Sequence, residues 1–198
     1  MKTLFTISLL CLIACTALAQ EPGDYGGTMG LYFSDTEFSS STANIDTGAA
    51  PFSMYLVLLD GQIETLAAYE AQFSFTSEEV FILDATGPNG WTNFGSITDH
   101  MAGYMTPLPL AASGTVISTM TLLFPGTGQV DIFLGGSTLE SLPGWDGPVI
   151  VAPGPDQPLL ACDLSSGASG TTDVVAWLNR VPVAVENHSL SEVKSLFE

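Results

Sequence analysis

Apolar residues along this chain recur in short runs that are separated by Gly, Pro, Asn or Ser. Residues 69–75 alternate strictly between apolar and polar side chains, which predicts a strand with one face on a core. Residues 52–59 are almost continuously apolar, which is typical of a central strand covered on both faces. Ten runs of this kind predict strands: Thr28–Phe33, Phe52–Leu59, Tyr69–Phe75, Val80–Leu83, His100–Thr106, Thr115–Phe124, Val130–Leu134, Val149–Ala152, Leu159–Cys162 and Val174–Leu178.

Closely spaced short strands with no amphipathic helix between them predict an all-β fold, a jelly-roll β-sandwich of about nine to ten strands. A parallel α/β fold would require helices between the strands. The Gly-rich turn at 126–128 predicts a hairpin between the strands on either side of it. The pair Pro107 and Pro109 predicts that the strand beginning at His100 stops at Thr106. Trp177, within the last strand, is expected in the core.

The C-terminal residues 181–198 follow a different pattern and are predicted to form an extension beyond a sandwich domain of residues 20–180. Ser189 and Glu192 have the spacing of a capping box, in which the serine caps a helix and the glutamate reaches back. Four apolar residues follow at helical spacing: Leu190, Val193, Leu196 and Phe197. The spacing predicts a short amphipathic helix that needs a surface to dock on, because an isolated helix of this length is unstable.

The first 19 residues have the three parts of a secretory signal peptide. Lys2 gives a positive start, Leu4–Ala14 is an uncharged apolar run, and Ala17-Leu18-Ala19 is a small-residue cleavage site. The run is shorter than the roughly 20 residues that span a bilayer. An alternative interpretation is a lipobox ending at Cys15, which would leave the chain lipid-anchored on the cell envelope. Both interpretations predict export.

Charge and cysteine content narrow the possible partners. After a cut before Gln20, all 21 acidic residues remain against Arg180 and Lys194, so the net charge is −19. Such a surface repels phosphate backbones and excludes nucleic acid as a partner. Cys162 is the only cysteine left, so an internal disulfide is impossible, and we expect it to be a small buried apolar residue.

Five of the predicted strand segments, in their order along the chain, carry a resemblance to a known family. The pattern resembles the cohesin-like domains of secreted bacterial proteins, and it rests on 28–33, 52–58, 69–75, 119–124 and 130–135. The resemblance implies a nine-stranded jelly roll, a fold shared with carbohydrate-binding modules. It also implies a protein partner, although no dockerin segment is present in this sequence and no dockerin-contacting residue can be matched. A resemblance of this kind predicts the fold of the chain more safely than it predicts the function.

No residue pattern typical of catalysis appears, and we predict no catalytic residues and no enzyme activity. His100 and His188 are isolated in sequence, so a zinc site is not expected. Acidic residues are numerous enough to leave a glycoside hydrolase as a weaker alternative. Calcium is the one cofactor considered, because Asp35, Glu37 and Asp46 share a loop and carboxylates are its preferred ligands.

Trp91 and Trp145 both follow a glycine in a predicted loop. Exposed aromatic rings can stack on sugars, so this pair could form a carbohydrate-binding platform, whereas tryptophans that fold back would cover the ends of the sandwich. The main prediction is therefore a secreted, non-enzymatic module that binds another extracellular protein, and a carbohydrate-binding module is the alternative.

Overall fold

The computed structural model of the chain describes residues 25–44, 50–139 and 141–180. The predicted signal peptide with Cys15, the loop residue Asp46 and the predicted C-terminal helix lie outside the described residues. The described ranges contain twelve strands: β1 Tyr25–Tyr32, β2 Thr42–Ala43, β3 Phe52–Leu59, β4 Thr65–Phe75, β5 Phe81–Thr86, β6 Thr92–Asn93, β7 Asp99–Pro109, β8 Thr115–Leu123, β9 Val130–Gly135, β10 Val149–Val151, β11 Leu159–Leu164 and β12 Asp173–Leu178. None of the described residues forms a helix long and apolar enough to cross a membrane.

The strands form two layers that face each other across one core. One layer, which we call sheet A, has the order β11-β1-β3-β8-β5, and the other, sheet B, has the order β6-β7-β4-β9-β12-β2. Strand β10 pairs with both β11 and β4, so the layers are joined along one side. The pairs β1–β11 and β12–β2 are parallel, and all other pairs are antiparallel.

Alternation along the strands places the core between the layers. In β4, Tyr69, Ala71 and Phe73 are buried while the residues between them are partly or fully exposed. The inner residues of β3 and β8 from sheet A pack in the same apolar cluster as those of β4, β7 and β9 from sheet B. The Tyr104 hydroxyl on β7 donates a 2.7 Å hydrogen bond to the Ile117 carbonyl on β8, which ties the two layers together.

All ten predicted strands are present and the predicted all-β sandwich is confirmed. The predicted hairpin across residues 126–128 is wrong, because β8 pairs with β3 and β5 whereas β9 pairs with β4 and β12 in the opposite sheet. Glycine-rich turns permit both a hairpin and a crossing between layers. Here the chain crosses, because β9 is in register with β4, where Leu134 pairs with Phe73 and Ile132 with Phe75.

Two further predictions are corrected by the register of the strands. Strand β7 continues through Pro107 to Pro109, because Gly103 pairs with Ala68 and Leu108 already pairs with Leu66. Residues 104–107 therefore form a bulge opposite Ala67, and Pro107 within it has no partner in the ladder. Trp177 is half-buried on the outer face of β12 rather than in the core, and Arg180 lies over its ring at 4.1 Å.

Candidate functional site

Trp91 folds back against the core from the segment between β5 and β6. Its Nε1–H donates a hydrogen bond of 3.1 Å to the Tyr69 hydroxyl, and its ring packs against the main apolar cluster. Gly87 makes this possible, because a Cβ atom there would lie 2.5 Å from Cγ of Trp91. Trp91 thus covers part of the sandwich interior and is itself half-buried.

Beneath Trp91 lies a small group of polar side chains inside the core. The Tyr69 hydroxyl and Nδ1 of His100 are 2.9 Å apart, and both side chains are fully buried. Burial lowers the pKa of His100 to about 4 and raises the pKa of Tyr69. Nε2 of His100 and Oγ of Ser118 make no hydrogen bond of normal geometry with the described residues. This group is closed to solvent and cannot reach an external substrate in this conformation.

Trp145 packs elsewhere, on the outside of sheet A and β10. The segment between β9 and β10 lies over this surface and forms a second apolar cluster with Leu142, Val149 and Ala161 buried in it. The Trp145 Nε1–H donates to the Pro148 carbonyl at 3.1 Å. The two tryptophans therefore belong to different clusters, and each uses its indole N–H within the protein. Their role as a sugar platform stays a prediction.

Two acidic side chains of sheet B hold the same segment in place. Asp99 accepts hydrogen bonds from the backbone and the hydroxyl of Thr138, and Glu70 accepts one from the hydroxyl of Ser141. Both acids lie on the outer side of their strands, as the alternation of β4 predicted for Glu70. Two carboxylates of sheet B thus help to hold the segment that covers the second cluster.

Two of the three candidate calcium ligands, Asp35 and Glu37, belong to the described residues, and both lie on the surface. Asp35 and Glu37 are exposed in one turn, where the Ser34 hydroxyl accepts the backbone N–H of Glu37 at 3.0 Å. Within the described ranges, no three His, Cys, Asp or Glu side chains are grouped to hold a metal ion. Calcium binding at Asp35, Glu37 and Asp46 stays a prediction.

Cys162 is fully buried in β11, as its apolar neighbours predicted. Burial raises the pKa of its thiol, so the reactive thiolate form is suppressed. The position serves the packing of the core rather than chemistry.

The sequence did not single out the most exposed apolar surface of the sandwich. Phe94 is 75% exposed and Met105 is 87% exposed, and both lie on the outer side of sheet B beside β6 and β7. Two shallow depressions flank the Phe94 ring, with volumes of about 290 Å³ and 130 Å³. Their apolar lining, which we call the Phe94 patch, comprises Ala67, Phe94, Met101, Gly103, Met105 and Val151.

A signal for this patch exists in the sequence, although it is weak. Strand β7 carries apolar residues on both faces: Ala102 and Tyr104 face the core, while Met101 and Met105 alternate with them on the outside. A buried strand has the same apolar pattern on both faces. Only the arrangement of the sheet decides that this outer face is left uncovered by the described residues.

Comparison with known proteins gives matches among solved structures only. The structure is similar to a cohesin module of a family 33 glycoside hydrolase from Clostridium perfringens, with 11% identity, a TM-score of 0.49, and coverage of 78% of this chain and 98% of that chain. A structure of a type I cohesin–dockerin complex from Clostridium thermocellum matches with 8% identity, a TM-score of 0.45, and coverage of 81% and 98%.

No protein-family model matches the sequence, and no curated protein does. The two structural matches agree with the cohesin-like resemblance noted from the strand pattern. The likeness concerns the course of the chain, and it carries no information on what this protein binds.

Proposed function

We propose that this chain is an exported, non-enzymatic module that binds another protein at the Phe94 patch. The observation that carries the proposal is the exposure of Phe94 and Met105, which line the same depression on the outer side of sheet B. Large apolar side chains that share an exposed patch mark interaction surfaces more often than isolated ones do. Aromatic residues and methionine are also enriched in protein interfaces.

The sealing of the polar core group supports a binding role over a catalytic one. Burial shifts the pKa values of Tyr69 and His100, and both side chains are fully buried beneath Trp91. A catalytic acid or base must come within hydrogen-bond reach of its substrate. The Phe94 patch, in contrast, is accessible and apolar, so its side chains can contribute binding energy but no acid or base for catalysis.

The size of the expected contribution follows from the exposure of the two side chains. Burying one large apolar side chain that was exposed contributes about 1.5–3 kcal/mol. Truncation of such an anchor at an interface costs about 2 kcal/mol or more, which is about 30-fold in affinity. We therefore expect the double variant Phe94→Ser/Met105→Ser to bind its partner at least about 30-fold more weakly.

The test begins with a photo-crosslinking residue in place of Thr92, which is exposed and lines the larger depression beside Phe94, in the chain without residues 1–19. The chain is exposed to the secreted and envelope proteins of its own source, and the crosslinked protein is identified and purified. Its affinity is then measured by calorimetry for the unaltered chain and for the Phe94→Ser/Met105→Ser variant. The matched control is Phe81→Ser/Leu83→Ser, which removes the 51% and 50% exposed side chains of the edge strand β5 in the other sheet.

Loss of affinity in the Phe94 variant alone supports the proposal. Equal affinity of all three proteins means that the partner binds elsewhere. Retention of the chain on polysaccharides that depends on Trp91 or Trp145, and not on Phe94, would replace the proposal with the carbohydrate-binding alternative.

A further inference from the structure

Resting on this proposed function, we infer that the partner segment at the Phe94 patch carries a lysine or arginine next to its apolar anchor, and that this cation lies beside Glu70. The inference concerns the chemistry of the partner. It rests on the charges around the patch and on the register of β4 against β7.

The described residues around the patch offer negative charge and no positive charge. The chain has 21 acidic and 3 basic residues. Arg180 is the one Lys or Arg within the described ranges, and it lies over the Trp177 ring of β12. Strands β4 and β9 separate β12 from β7 in sheet B. A partner with acidic residues around its anchor would therefore meet only repulsion here, whereas a basic partner would be attracted.

Glu70 is the acidic residue that borders the patch directly. It lines the smaller depression together with Phe94 and Met101, and it is the direct cross-strand neighbour of Met101. Its Oε1 accepts the Ser141 hydroxyl, which fixes the side chain on this face. A positioned carboxylate beside an apolar surface favours a cation whose aliphatic stem can lie along that surface.

Asp99 strengthens the negative potential at the same end of the patch. It lies on the outer side of β7, two residues before Met101, and it pairs with Gln72 of β4. One of its oxygens accepts two hydrogen bonds from Thr138, and the other is buried. Asp99 therefore contributes its charge to the site, while direct contact with a partner cation falls to Glu70.

The spacing on β7 sets the distance between anchor and cation. Met101, beside Glu70, and Met105 are four residues apart, so they lie at most about 13 Å from each other, because residues 104–107 bulge out of the regular ladder. A docked segment spans that distance with about four extended residues or about eight helical residues. The basic residue is thus expected within about eight positions of the apolar anchor.

The experiment selects peptides from a phage-displayed library of random 16-residue sequences on the mature chain. Peptides that also bind the Phe94→Ser/Met105→Ser variant equally well are discarded, because that variant keeps every charge and reports non-specific attraction. The remaining peptides are synthesised and their affinities are measured at 50 mM and 500 mM salt. Two further proteins are compared: Glu70→Gln, which keeps an acceptor for Ser141, and Asp156→Asn, which removes an exposed charge from the loop between β10 and β11.

We expect the patch-dependent peptides to be enriched in Lys or Arg within eight positions of an aromatic or aliphatic residue. Glu70→Gln should weaken their binding about fivefold at low salt, and Asp156→Asn less than about twofold. Replacing the basic residue of the peptide by Gln should remove the difference between the unaltered chain and Glu70→Gln. High salt should reduce that difference as well.

Two results would overturn the inference and leave the docking site in place. One is a set of patch-dependent peptides without an excess of basic residues, and the other is an equal effect of Glu70→Gln and Asp156→Asn. A library that yields no patch-dependent peptide contradicts the proposed docking site itself, and the inference falls with it.

Discussion

Acidification is expected to weaken the fold through His100. The side chain is fully buried, and burial lowers its pKa from 6.5 to about 4. Unfolding returns the imidazole to water, where it takes up a proton at a higher pH than in the folded protein. Between pH 6.5 and pH 4 the unfolded state therefore binds more protons, so the free energy of unfolding decreases as the pH falls.

The magnitude follows from the difference between the folded and unfolded pKa values of His100. The protonation equilibrium lowers the free energy of unfolding by about 1.4 kcal/mol between pH 8 and pH 5.5, and by about 2.5 kcal/mol between pH 8 and pH 4.5. Below about pH 4 the loss stops growing, because the folded protein then takes up the proton as well. The contribution is complete at pH 8, where the imidazole is neutral in both states.

The assay is urea unfolding of the mature chain and of the His100→Gln variant at pH 8, 5.5 and 4.5. Carboxylates also titrate in this range, and on a chain with 21 acidic residues their protonation relieves repulsion in the folded state. The variant keeps all of them and keeps His188, so the difference between the two pH profiles isolates His100. Parallel profiles would refute the reasoning, because His100 would then have the same pKa in both states.

Three further predictions concern packing. Leu142→Ala removes a fully buried side chain of the segment between β9 and β10. The free energy of unfolding, measured in urea, should fall by about 2–5 kcal/mol. A loss under about 1 kcal/mol would mean that this cluster is not formed in solution. Gly136→Ala places a Cβ atom 2.7 Å from the Gly147 carbonyl and should cost about 1–3 kcal/mol. Its control Gly128→Ala meets nothing within 4 Å and should leave the unfolding midpoint unchanged, and equal effects would contradict the packing. The Cys162 thiol should react with a disulfide reagent only in denaturant, and rapid reaction of the folded chain would show that β11 is accessible.

The sequence predicted correctly the features that depend only on the periodicity of side chains along a single strand. The alternation of residues 69–75 fixes which face of β4 is buried, and the apolar run of residues 52–59 coincides with β3. Strands β2 and β6 have two residues each and carry no periodic pattern, so the sequence does not reveal them. They exist because a neighbouring strand offers free backbone groups to pair with.

The candidate site was less predictable, because it depends on which surfaces other segments cover. Trp91 and Trp145 both follow a glycine in a loop, and the sequence left open whether they are exposed. In the structure, each folds back and donates its indole N–H to a protein acceptor. Phe94, in a loop of similar composition, is left exposed instead.

The sequence by itself determined the fold class, the positions of the longer strands and the strongly negative charge, since these follow from side-chain periodicity and composition. Tertiary structure alone decided that β8 and β9 lie in opposite sheets, that His100 is sealed beneath Trp91, and that no other described segment covers the outer face around Phe94. The physical reason is that burial is a property of the packed whole. An apolar residue on a strand has the same local preferences whether the layer above it is present or missing.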